Sequence, residues 1–117
     1  MQDQWPIRLQ DCRVVSPSGE LDIAASPGFS FLLRGNARAV GADWLIVDLT
    51  QVTFMDCSAL HDLCAAFARS RTTGRWTRLV YDQAPIDRLL LLTRLHDRFP
   101  RYESVDTAWR QRPVDRA

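Results

Sequence analysis

The sequence predicts an α/β fold in which a largely parallel sheet is covered by helices. The first observation is the almost continuously apolar, β-branched run at residues 44–49, which is typical of a strand buried on both faces. The second is the segment after Asp56, where apolar residues recur at helical spacing. The third is the alternation of strand-like segments with helix-like segments of about 10–15 residues, which favours right-handed crossovers between parallel strands.

The N-terminal part predicts two short strands, over residues 5–9 and 12–15, joined by a turn. The sequence Ser-Pro-Ser-Gly at residues 16–19 interrupts the second strand, and its proline indicates an edge strand or a bulge. Asp22 follows, either as the cap of the next helix or as an exposed acid beside it.

The first helix is predicted over about residues 27–40, because its apolar residues fall on one helical stripe. Ser26 is the expected N-cap and Pro27 the expected first residue. Gly35 weakens this helix, and Gly41 is the expected C-cap.

The central strand is predicted over about residues 43–49, and a connection at residues 50–53 follows it. Phe54 and Met55 are apolar again, so we expect both to return to the core. Asp56 is the expected N-cap of the central helix, because its carboxylate accepts hydrogen bonds from unpaired N–H groups of the first turn. This helix is predicted from Cys57 to about residue 73, with Gly74 ending it.

The last third of the chain predicts a strand at residues 76–81 and a helix from Pro85 to about residue 95. A short strand at residues 102–105 and a short helix through Trp109, capped by Asp106, complete the order. Residues 1–110 are therefore predicted to form a single domain, and the polar residues 111–117 a flexible C-terminal tail.

The composition excludes several classes of function. A net charge of +1 gives no general electrostatic footprint for nucleic acid. The longest apolar run, residues 89–92, is far too short to span a bilayer, and residues 1–6 lack the layout of a signal peptide. We therefore expect a cytoplasmic protein without direct nucleic-acid binding or membrane insertion.

Three cysteines, Cys12, Cys57 and Cys64, match no zinc-binding spacing and cannot all pair within one chain. We expect reduced thiols, no metal and no cofactor.

Two segments of the sequence, together with the start of the predicted central helix, resemble the sequence pattern of a known protein family. Gly19-Glu-Leu-Asp22, the run Val-Asp-Leu-Thr-Gln-Val-Thr-Phe-Met-Asp at residues 47–56 and the serine-containing helix start after it are similar to the STAS domain of anti-sigma factor antagonists. The stretch at residues 84–90 is similar to the family's third helix region. The resemblance covers roughly residues 12–109.

The resemblance implies a four- to five-stranded mixed sheet with helices packed mainly on one face. It also implies a bacterial regulator of transcription that is not an enzyme. Such antagonists bind a small serine kinase that also acts as an anti-sigma factor, and they thereby free the sigma factor. Phosphorylation at the start of the central helix weakens this binding, and a phosphatase resets it.

The helix start departs from the family's pattern of Asp, two hydroxyl residues and then Gly-Leu. Cys57 stands at the usual acceptor position, Ser58 at the second hydroxyl position and Ala59 in place of the glycine. The resemblance therefore predicts phosphorylation at Ser58, although a shift by one residue turns the acceptor about 100° around the helix. It predicts a partner-binding surface whose residues are Asp22, Asp56, Cys57, Ser58 and His61.

Alternatives stay open at each position. Ser58 has a second interpretation as a mere support of the helix start, which leads to a constitutive STAS docking subunit of a transporter ATPase or another complex. Cys57 is either a small neutral substitute or a reactive thiol at a helix N-terminus. Cys64 lies about 10 Å further along the helix, too far to bridge to Cys57. His61 has no nucleophile and base partners in the sequence, which favours a surface residue over a catalytic one.

Overall fold

The computed structural model describes residues 12–35 and 44–110. The predicted strand at residues 5–9, the predicted cap at Gly41 and the predicted tail at residues 111–117 lie outside the described residues. The elements in chain order are β1 (Cys12–Val15), β2 (Gly19–Leu21), a 3-10 turn (Ile23–Ala25), α1 (Ser26–Arg34), β3 (Trp44–Asp48), β4 (Val52–Met55), α2 (Cys57–Thr72), β5 (Thr77–Val80), α3 (Ala84–Leu92), β6 (Arg101–Tyr102) and α4 (Val105–Trp109).

The predicted α/β class is confirmed, and every strand pairing among the described residues is parallel. Four strands form one sheet in the order β1-β3-β5-β6, and β2 and β4 form a separate pair. Residues 16–18 connect β1 to β2, and residues 49–51 connect β3 to β4. The pair β2–β4 therefore continues the pair β1–β3 after a short break in the strands. The side chain of Gln83 spans this break, because its Nε2 donates to the carbonyls of Leu49 and Val52, both at 2.8 Å.

The helices lie mainly on one face of the sheet, as predicted. On that face Leu45, Val47 and Leu79 pack with buried residues of α1, α2 and α3 in the larger core cluster. The opposite face holds a smaller cluster around Ile46 and Val80, covered by α4. Within residues 12–35 and 44–110, no helix has the length and apolar character needed to cross a membrane.

The first helix differs from the prediction at both ends. Ser26 is not the N-cap but the first helical residue, because the 3-10 turn runs straight into α1 and Asp22 caps that turn. Gly35 does not merely weaken the helix; it is the C-cap, with φ of +63°. The guanidinium of Arg13 donates to the carbonyls of Leu32 and Leu33, so a side chain from β1 satisfies this helix end.

Two further predictions about individual residues were wrong. Phe54 does not return to the core: Val52 and Met55 are the buried residues of β4, whereas Thr53 and Phe54 between them are exposed, Phe54 at 51%. Ser104 rather than Asp106 caps α4, because Ser104 and Thr107 form a reciprocal capping box. The pairing of β2 with β4 was also not predicted, since such short strands depend on contacts distant in sequence.

Candidate functional site

The candidate site lies where β2 and β4 end side by side. Leu21 and Met55 are paired in register, and the N–H of Asp56 donates to the carbonyl of Leu21 at 3.3 Å. Asp22 and Asp56 therefore occupy neighbouring positions at the carboxyl ends of two parallel strands. Each carboxylate caps the turn that follows it; that of Asp22 accepts the N–H of Ala25 at 3.1 Å.

The carboxylate of Asp56 holds Ser58 by two hydrogen bonds. Its Oδ1 accepts the backbone N–H of Ser58 at 2.9 Å and the hydroxyl of Ser58 at 2.5 Å. The Ser58 hydroxyl is the main reason that the pKa of Asp56 lies below its ordinary value; partial desolvation opposes this effect, and the N–H groups of Ser58 and Ala59 support it. The predicted N-cap is thus confirmed, and the start of α2 presents an ionised carboxylate.

The side chains in the first turn of α2 differ in their surroundings. Cys57 is exposed, Ser58 is partly buried beside Asp56, and Ala59 is 1% exposed within the core. The methyl group of Ala59 therefore fills core space at the position where the resemblance expects glycine. His61 is exposed one turn after Cys57, so these two side chains share a side of the helix.

The structure brings four of the five predicted partner-binding residues to one edge and places His61 one turn further along α2. The partner-binding role of these residues and the phosphorylation of Ser58 stay predictions. Cys57 and Cys64 are unbridged thiols, as expected. Among residues 12–35 and 44–110 no group of three or more His, Cys, Asp or Glu side chains is arranged to hold a metal ion.

Two exposed apolar residues lie beside the site and were not predicted to belong to it. Ile23 follows Asp22 and is 76% exposed, and Phe54 precedes Asp56 by two residues. The sequence held no clear signal for Phe54, because the burial of β4 does not alternate: Val52 and Met55 are buried, and Thr53 and Phe54 are exposed. The sequence also held no signal for Ile23, because a 3-10 turn of three residues is too short to show a periodic pattern of apolar residues.

The family is decided by comparison with known proteins. A family model of the STAS domain matches residues 7–108, which is most of the chain. The chain belongs to the STAS family. The STAS resemblance seen in the sequence is thereby confirmed, and no curated protein sequence matches the chain.

Solved structures of known and putative anti-sigma factor antagonists share the fold. An anti-sigma factor antagonist from Mycobacterium paratuberculosis is 26% identical, with 90% of this chain and 88% of that chain covered and a TM-score of 0.73. A putative anti-sigma factor antagonist from Thermotoga maritima is 19% identical, with 92% of this chain and 93% of that chain covered and a TM-score of 0.78. The anti-sigma factor antagonist SpoIIAA in its unphosphorylated form is 14% identical, with 90% and 91% covered and a TM-score of 0.65.

Proposed function

We propose that this STAS protein is an anti-sigma factor antagonist that binds an anti-sigma factor with serine kinase activity. Three similar structures are of known or putative antagonists, and the chain covers about nine-tenths of each. The protein acts by binding, without a reaction or cofactor of its own. Its binding surface is the edge formed by Asp22, Asp56, Cys57, Ser58 and His61.

The observation that carries this proposal is the Asp56–Ser58 cap at the accessible start of α2. A phosphate on Ser58 removes the hydroxyl proton that Asp56 accepts and adds about −1.5 to −2 charge beside that carboxylate. The N–H groups at the helix start favour the phosphate, whereas Asp56 repels it. Phosphorylation therefore displaces Asp56 from its capping position and changes the surface that a partner contacts.

The experiment combines binding with site mapping. The purified chain is mixed with each anti-sigma kinase encoded in its own genome, with and without ATP, and intact mass and fragment spectra are recorded. We expect a stoichiometric complex without ATP, and with ATP one phosphate on Ser58, weaker binding and reversal by a phosphatase. Ser58→Ala should bind but gain no phosphate, whereas Ser18→Ala, a change at an exposed serine outside the site, should behave as the wild type.

Two results would contradict the proposal at different points. A chain that binds none of these kinases refutes the antagonist function. A chain that binds but is never phosphorylated refutes the switch and leaves the binding intact.

One observation favours a second candidate, a constitutive docking subunit without phosphorylation. The exposed side chain at the helix start is the thiol of Cys57, whereas the hydroxyl of Ser58 is already hydrogen-bonded to Asp56. A kinase must break this hydrogen bond before it reaches Ser58. Co-purification with a transporter ATPase, together with an unmodified mass under all growth conditions, would select this candidate.

A further inference from the structure

We propose that a groove between β4 and the start of α3 is a docking site for a short apolar turn that the anti-sigma partner carries between basic residues. The groove has a volume of about 530 Å³. Residues 52–55 form one wall, and Gln83, Pro85 and Ile86 form the other. This inference rests on the proposed function and adds to it a second contact region with a defined chemistry.

The lining of the groove selects an apolar occupant. Phe54, which is 51% exposed, lines the groove together with Pro85 and Ile86. Both amide hydrogens of Gln83 are used, because its Nε2 donates to two carbonyls, and its Oε1 already accepts the N–H of Asp82 at 3.0 Å. Five of the seven lining residues are apolar, so apolar side chains of an occupant are favoured.

The charges around the groove favour a partner segment that carries basic residues on either side of its apolar residues. Three carboxylates belong to residues that adjoin the lining in sequence or in register: Glu20, which is paired with Phe54, Asp56 after Met55 and Asp82 before Gln83. Two arginines lie near: Arg88, two positions beyond Ile86 on α3, and Arg101, whose Nη1 donates to the carbonyl of Tyr81 at 3.3 Å, next to Asp82. Carboxylates thus outnumber arginines around the groove, and a partner segment with arginine or lysine beside its apolar residues complements them.

The groove is continuous with the proposed partner surface. Met55 lines the groove, and Asp56 and Cys57 follow it directly. Phe54 and Cys57 are three residues apart, which is about 10 Å along an extended chain. One partner can therefore contact the start of α2 and fill the groove at the same time.

The test measures binding kinetics of the full chain with the recombinant anti-sigma kinase that binds it. Phe54→Ala should weaken binding by about tenfold or more, mainly through faster dissociation, because it removes an aromatic wall of the groove. Glu20→Arg should slow association and reduce the salt dependence of the association rate. Leu92→Ala is the matched control, since Leu92 is 75% exposed at the far end of α3.

A second variant covers the case in which Phe54→Ala unfolds the chain. Thr53→Arg changes an exposed residue, narrows the groove and adds a charge that repels a basic segment, so it should also weaken binding. The groove inference is overturned if the wild-type chain binds the kinase and a folded Phe54→Ala or Thr53→Arg variant binds it with the same affinity. The antagonist function then still stands. If the wild-type chain binds no anti-sigma kinase, the proposed function fails, and the groove inference fails with it.

Discussion

Asp56 Oδ1 accepts both the N–H and the hydroxyl of Ser58, so one carboxylate oxygen caps α2 and orients the predicted phosphate acceptor. This double role couples the local stability of the helix start to the chemical state of Ser58. A change at Ser58 must alter the cap, and a change at Asp56 must alter the orientation of the hydroxyl. The coupling is measurable without any partner.

Ser58→Ala should raise the pKa of Asp56 towards its ordinary value, because the Ser58 hydroxyl is the main cause of its lowering. The rise should be partial, since the N–H groups of Ser58 and Ala59 still donate to the carboxylate. The carboxyl carbon shift of Asp56, followed by NMR during an acid titration, gives the midpoint. Ser18→Ala is the control, and an identical midpoint in Ser58→Ala and wild type would contradict the prediction.

The same shift fixes the direction of a pH effect on stability. The pKa of Asp56 is lower in the folded chain than in the unfolded chain, so its carboxylate stabilises the fold above the ordinary pKa of aspartate. This contribution is lost as the pH falls through the lower, folded-state pKa. Asp56→Ala should therefore lower the melting temperature by a few degrees at neutral pH and by less in acid. Asp97→Ala, a change at a side chain that is 96% exposed, should leave the melting temperature almost unchanged at neutral pH.

Ser26→Ala should destabilise the fold by about 1–3 kcal/mol, because it leaves a buried carboxylate oxygen without its donor. The Ser26 hydroxyl donates to Asp62 Oδ2 at 2.8 Å, and Asp62 is only 7% exposed between α1 and α2. Urea unfolding at neutral pH measures the loss, with Ser18→Ala as the control for an exposed serine. A loss equal to that of Ser18→Ala would show that this hydrogen bond does not stabilise the packing of α1 on α2.

The sequence predicted the cap of α2 from neighbouring residues, but it missed the local capping box of α4 and several features that depend on distant residues. Asp56 was recognised as a cap because its strand, cap and helix are contiguous in the chain. Ser26 was assigned the same role, but its hydroxyl has a better partner in Asp62, thirty-six residues away. The outward position of Phe54 and the groove beside it required β4 as a strand, and β4 exists only through its pairing with β2.

Gly35→Ala should cost more than the strain of its backbone conformation. An alanine at φ of +63° carries a penalty of about 1–2 kcal/mol, and its methyl group would lie 2.9 Å from Cζ of Arg13. Arg13→Ala removes that guanidinium together with its hydrogen bonds to the end of α1. The double variant should therefore be less destabilised than the sum of the two single variants. Denaturant unfolding of the four proteins tests this, and strict additivity would exclude the steric conflict.

Cys57 should report occupancy of the proposed partner surface. Its side chain is exposed at the start of α2, whereas Cys64 is partly buried and its sulfur accepts a weak hydrogen bond from Arg98 at 3.7 Å. Iodoacetamide should therefore modify Cys57 several-fold faster than Cys64 in the isolated chain. A bound anti-sigma kinase should slow modification of Cys57 and leave the rate at Cys64 unchanged. The two cysteines share one arginine-bounded segment, so fragment spectra must locate the label. Equal protection of both cysteines would indicate general tightening of the fold, and unchanged modification of Cys57 in the complex would place the partner elsewhere on the molecule.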